Sequence, residues 1–80
     1  MAWYVYVIKS QVDGRLYKGM TENIEERLRV HNARKVSSTK AYIPWDVVYT
    51  ESCRDSKHAR EREKFLKSSV GRTFLRSKGL

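Results

Sequence analysis

Apolar residues recur along this chain with two different periods, and the switches between them mark out its elements. The run Trp3–Lys9 (WYVYVIK) is aromatic and β-branched almost throughout, a composition that suits a strand. Asp13-Gly14 is a tight-turn dipeptide, and Arg15–Gly19 reads as the returning strand. With Asp13-Gly14 at the centre of a two-residue turn, Val12 pairs with Arg15, and Tyr4, Tyr6, Arg15, Tyr17 and Gly19 fall on one face. From Ile24 the period lengthens. Ile24, Leu28 and His31 recur at i, i+4 and i+7, Asn23 with Glu26 makes a capping-box pattern, and Glu25 and Glu26 suit the positive end of a helix dipole; the spacing predicts a helix over Ile24–Arg34. KVSSTKAYIP has no clean period and reads as a loop closed by Pro44, and WDVVYTES (residues 45–52) reads as a third strand. A second helix opens at Ser56 as N-cap and runs through KHAREREKFLKS. Gly71 marks a break, and RTFLRSK predicts a short third helix ending near Gly79. The order ββαβαα predicts an α+β fold, a small three-stranded antiparallel sheet flanked by helices, in a single domain over residues 1–80.

Two features sit awkwardly in this pattern. Three of the five tyrosines lie in the hairpin, although a buried phenol must find a partner for its hydroxyl. A cross-strand aromatic ladder accounts for them, and so does a chemical use of the hydroxyls. On the second helix, Ala59, Leu66 and Val70 form an apolar stripe at i, i+7 and i+11, and Glu63 occupies the missing i+4 position. A carboxylate there is costly unless it is paired or binds a cation. It pairs with Arg27 or Arg62, or sits where water reaches it, or holds a divalent metal ion through its hard oxygens. On the first helix Arg27 lies beside the apolar face, with His31 one turn further on.

Charge narrows the partners. Seventeen Lys and Arg against nine Asp and Glu leave a net charge of +8, which favours a polyanion, most often nucleic acid. Twelve of those seventeen lie from Arg34 onward. Arg34, Lys35, Lys40, Lys67 and Arg72, together with Lys18 in the hairpin, are the candidate phosphate contacts. The lone Cys53 allows no internal disulfide and points to a reducing, cytoplasmic setting; the apolar stretch Ala2–Ile8 is too short to span a membrane and wrongly flanked for a signal peptide.

Phosphodiester cleavage needs an attacking water, a base, positive charge on the phosphoryl oxygens and a means of stabilising the leaving oxygen. Phenols, an arginine, a histidine and one inward carboxylate supply that inventory. In their order, Tyr4-Val5-Tyr6, then Tyr17-Lys18-Gly19, then Arg27 and His31 on one helix and Glu63 on a later one, the residues resemble the GIY-YIG nuclease domain. The blocks YIPWDVVYTE and AREREKFLKSSVGRTFL are similar to the small stand-alone bacterial members, akin to the nuclease of the excision-repair C subunit. The resemblance implies hydrolysis of DNA assisted by one Mg²⁺ or Mn²⁺ ion. Tyr6 would then be the general base or its close partner, Tyr17 would help order the attacking water, and Arg27 would hold the scissile phosphate. Glu63 would be the metal ligand, and His31 would lie near the phosphate.

Tyr4 replaces the first motif's opening glycine, and no Asn or Gln follows Glu63, where many members carry one. The resulting expectation is a metal-dependent endonuclease of DNA repair or recombination acting on branched or duplex DNA, with RNA as a possible substrate and a protein partner as a source of specificity. The alternative is a non-cleaving nucleic-acid-binding module of the same fold. A phenol's ordinary pKa is about 10, so Tyr6 requires a neighbour to act as a base at neutral pH.

Overall fold

The computed structural model describes residues 2–80. Strand β1 (Trp3–Ser10) is followed by β2 (Leu16–Thr21), helix α1 (Ile24–Asn32), a 3₁₀ turn (Lys40–Tyr42), β3 (Trp45–Cys53), α2 (Ser56–Lys67) and α3 (Ser69–Ser77), the expected ββαβαα order of an α+β fold. The sheet is antiparallel with strand order β2-β1-β3. The central position of β1 explains why Val5, Tyr6, Val7 and Ile8 are all buried despite pointing alternately to opposite faces. Val5 and Val7 pack under Ala59, Leu66 and Leu75 of α2 and α3, whereas Tyr6 and Ile8 pack with Trp45 under Leu28 of α1. Helices therefore cover both faces, and β2 is an edge strand.

The hairpin register differs from the sequence expectation by two residues. Tyr6 faces Gly19 and Ile8 faces Tyr17, and the loop spans residues 11–14 because Ser10 and Arg15 close it with a backbone bond of 2.9 Å. Gly14 supplies the positive φ of +77° this longer loop needs. Since the shift is even, each side chain keeps its face, and Tyr4, Tyr6, Tyr17 and Gly19 share the α1 side of the sheet. A bulge occurs instead in the β1–β3 pairing, between Val7 and Ile8.

Helix α1 stops at Asn32 rather than Arg34. Arg34 adopts φ +66°, and the bonds from Lys35 N to Val30 O and from Arg34 N to His31 O form a Schellman motif with arginine where glycine is usual. The N-cap of α2 is Asp55, which accepts from His58 N, not Ser56. Between α2 and α3 the break is at Ser68, whose hydroxyl caps α3 by accepting from Gly71 N at 3.1 Å. Gly71 lies inside α3, buried against α2, where a Cβ would fall 2.6 Å from Leu66 Cα. Val70 then projects outward, 65% exposed, and is not part of the stripe formed by Ala59 and Leu66.

Candidate active site

Between the sheet and α1 lies a polar chain enclosed in an aromatic setting. Gly19 leaves open the space that the Tyr6 ring fills: a Cβ there would sit 2.5 Å from the Tyr6 hydroxyl. The hydroxyl is 2.9 Å from His31 Nε2 and accepts from Arg27 Nε at 3.4 Å. His31 Nδ1 is 2.8 Å from Thr39 Oγ1, which donates to Val36 O at 3.5 Å. One direction of the protons satisfies all of these contacts. Thr39 gives its own proton to Val36 O, so its oxygen accepts from His31 Nδ1–H; the imidazole lone pair then lies on Nε2, where the Tyr6 O–H donates while the phenol oxygen accepts from Arg27 Nε. The imidazole carries its proton on Nδ1 and donates it to Thr39, and Thr39 donates to the backbone.

Both His31 and Thr39 are fully buried, and among the described residues no buried side-chain polar atom lacks a partner. Tyr17 stacks edge-on against His31 at 5.0 Å between centroids and against Trp45 at 6.4 Å. Trp45 Nε1 donates to Thr39 O at 3.0 Å, and Asn32 clamps the Trp45 backbone through both of its amide atoms, at 2.8 and 3.2 Å. Thr39, Asn32 and Trp45 thus hold the imidazole in place, a role with no sequence signal, since Thr39 sits in an aperiodic loop.

Burial sets the electrostatics. It pushes the Tyr6 phenol above its ordinary value, outweighing the lowering influence of Arg27. It also pulls His31 down to about 4, with the Arg27 guanidinium adding to the effect, so the imidazole is neutral at pH 7. The Tyr6 phenol is therefore protonated at neutral pH, and any basic action must pass its proton on to His31.

Glu63 lies on α2, in the other layer. Its negative charge is felt by the Tyr6 phenol, and the phenol itself lies over Gly19 of edge strand β2. Its partner is neither Arg27 nor Arg62. Arg62 forms a two-pronged pair with Glu51 at 2.7 and 2.8 Å, and among the described residues Glu63 pairs with Lys67 alone, one turn on, at 3.8 Å. The Glu63 side chain keeps 21% of its surface exposed, so it is not sealed in the core. Among the described residues no group of three or more Asp, Glu, His or Cys converges on a point. One accessible carboxylate fits a Mg²⁺-like ion that keeps most of its water and takes substrate oxygens as further ligands.

The structure thus brings Tyr6, Tyr17, Arg27 and His31 together, and Glu63 acts on Tyr6 through its charge from α2. The six expected phosphate contacts divide into two groups. Arg34, Lys35 and Lys40 are exposed on the segment after α1. Lys18, Lys67 and Arg72 lie on the α2/α3 side, where Lys67 and Arg72 together lower the Lys18 ammonium's pKa after burial.

A two-motif tyrosine hairpin, an arginine helix and a later glutamate helix around a three-stranded sheet define a class of small nuclease domains. The chain belongs to the GIY-YIG catalytic domain family, matching it over residues 2–76. It is 41% identical over 68 residues to a UPF0213 protein of Desulfotalea psychrophila, covering 82% of this chain and 61% of that one. A UPF0213 protein of Staphylococcus saprophyticus is 36% identical over 78 residues, covering 96% of this chain and 88% of the relative. The chain spans only 61% and 66% of the lengths of the D. psychrophila and Bacillus licheniformis relatives. The solution NMR structure of the UPF0213 protein BH0048 from Bacillus halodurans superposes with a TM-score of 0.58 at 28% identity, over 96% of this chain and 84% of that one. Among the described residues no helix is long and apolar enough to cross a membrane.

Proposed function

We propose that this protein is a divalent-metal-dependent endonuclease that hydrolyses phosphodiester bonds of DNA. The observation that carries this reading is the one-way proton chain from Tyr6 through His31 to Thr39, with Arg27 beside the phenol and an accessible Glu63 within electrostatic reach.

Arg27 holds the scissile phosphate. Tyr17 lines the site and orders the attacking water. As the water oxygen bonds to phosphorus, its proton passes to Tyr6 Oη, and the Tyr6 proton passes to His31 Nε2. The bond from phosphorus to the leaving oxygen breaks, and that oxygen takes a proton from solvent. The docked phosphate screens Arg27, which removes one of the two influences that hold the imidazole's basicity down. Glu63 would hold a Mg²⁺ or Mn²⁺ ion, which supplies a Lewis acid for charge on the phosphoryl and leaving oxygens.

The test is cleavage of branched, single-stranded and duplex DNA with Mg²⁺, with Mn²⁺ or with chelator, for the native chain and Glu63→Gln. Native protein should cut only with metal. Because Glu63 pairs with a surface lysine alone, its replacement should cost no more than about 1 kcal/mol of stability while abolishing cleavage. A Glu63→Gln protein that still cuts with Mg²⁺ removes Glu63 from the reaction. Native protein that binds DNA but cuts no substrate leaves the fold as a binding module.

A further inference from the structure

A pocket of about 240 Å³ opens between the edge strand β2 and α3, on the sheet face opposite the Tyr6 cluster. Leu16, Leu75 and Leu80 form its floor, and Lys18, Arg72 and Arg76 form its rim. Among the described residues, none of these three cations has a side-chain hydrogen bond or an ion pair. Three other arginines are paired, Arg15 with Asp13, Arg29 with Glu26 and Arg62 with Glu51. Three unneutralised cations around an apolar floor are unfavourable alone and complementary to a group with an anionic edge and a flat apolar body. A nucleotide has that form, with a phosphate for the rim and a base for the leucines.

The position of the pocket restricts the kind of nucleic acid. Tyr17 and Gly19 of β2 face the α1 side, and Lys18 between them faces the pocket, so the Tyr6 cluster and the pocket lie on opposite faces of one strand, with Glu63 of α2 on the pocket's side. Among the described residues nothing pairs with the outer edge of β2. Lys67 neighbours both sites, since it pairs with Glu63 and its charge acts on Lys18. A continuous backbone running from Arg27 to Arg72 must turn around that edge. Duplex DNA, stiff over about 150 base pairs, does not bend around a single strand of a sheet. A single strand does.

We propose that the pocket formed by Lys18, Arg72 and Arg76 over Leu16, Leu75 and Leu80 binds a nucleotide of a single-stranded segment whose neighbouring phosphate lies at the catalytic cluster, so that the substrate class is DNA carrying a single-stranded arm. This rests on the nuclease reading for the catalytic end and deepens it.

The experiment measures binding of a labelled single-stranded oligonucleotide and of a blunt duplex of equal length, in chelator so that no cutting occurs. It compares the native chain, Arg72→Ala/Arg76→Ala, and a charge-matched control, Lys57→Ala/Arg60→Ala, on the outer face of α2. All four positions are exposed, so the folds should survive. The pocket variant should bind the single strand about tenfold more weakly and lower the slope of log K against log salt by about 1.4, the release expected for two single-strand phosphate contacts, with duplex binding and the control little changed. Equal loss for single strand and duplex makes the patch a general phosphate surface and overturns the assignment. A pocket variant that binds like the native chain also overturns it, while leaving the nuclease reading intact. A native chain that binds neither DNA at low salt overturns both.

Discussion

At the scale of single residues, Gly19 and His31 each carry a consequence that chemistry dictates. Gly19 is required because the phenol of Tyr6 occupies the place of its side chain. Gly19→Ala should displace the ring, break the 2.9 Å contact with His31 and cost about 1–3 kcal/mol. In a domain of this size that lowers the melting temperature by roughly 4–8 °C per kcal/mol, and cleavage should fall with it. An unchanged melt would show that Gly19 does not position the ring. His31 offers a test by pH. Its imidazole titrates near 4 in the folded chain, against about 6.5 in an unfolded one. The unfolded state therefore binds the extra proton between these values. The stability His31 contributes is fully present above pH 6.5 and is lost as pH falls towards 4, by up to about 3 kcal/mol. Melts at pH 7 and pH 5 should differ, and His31→Gln should flatten the difference. The pattern of apolar positions placed Tyr6, Tyr17, Arg27, His31 and Glu63 on usable faces. It was silent on Thr39, because a lone threonine in an aperiodic loop becomes informative only once its hydroxyl meets His31.

At the scale of elements, the misjudged boundaries share a cause: local chemistry was satisfied by an unexpected residue. Arg34 closes α1 in the conformation usually left to glycine, Asp55 caps α2 in place of its neighbour Ser56, and Ser68 ends α2 and begins α3 together. The hairpin register moved by two because a four-residue loop replaced the two-residue turn, yet parity preserved the shared face. The tyrosine cluster was therefore legible from alternation alone, even though the pairing was not. The junction of α2 and α3 separates the sequence expectation from the structure most sharply. Gly71→Ala would push a Cβ into the backbone of Phe65 and Leu66, atoms that have no rotamer to swing aside, and should cost at least about 3 kcal/mol. Val70→Ala, at a position the helical stripe marked as core, should change stability by less than about 0.5 kcal/mol because the side chain is in solvent. Urea titrations of the two variants check both. Equal destabilisation would place Val70 in the interior and the helix break at Gly71.

At the scale of the whole molecule, the candidate phosphate contacts of a chain with net charge +8 fall into two groups on either side of the sheet. Arg34, Lys35 and Lys40 follow α1, and Lys18, Lys67 and Arg72 lie on the α2/α3 side, with Lys67 beside Glu63. The division makes the salt dependence of binding a measure of how much of the molecule a substrate covers. Each phosphate neutralised releases counterions worth a slope of about 0.7 for single strands and 0.9 for duplex in log K against log salt. A blunt duplex confined to the α1 side engages three of these cations and should give a slope near −3. DNA with a single-stranded arm, reaching the second group as well, should give a slope steeper than −4. Titrations of both substrates from about 50 to 200 mM salt, in chelator, decide between one surface and two. Equal shallow slopes would confine binding to one face. Affinity that does not fall with salt for either substrate would remove the electrostatic basis for a nucleic-acid partner altogether.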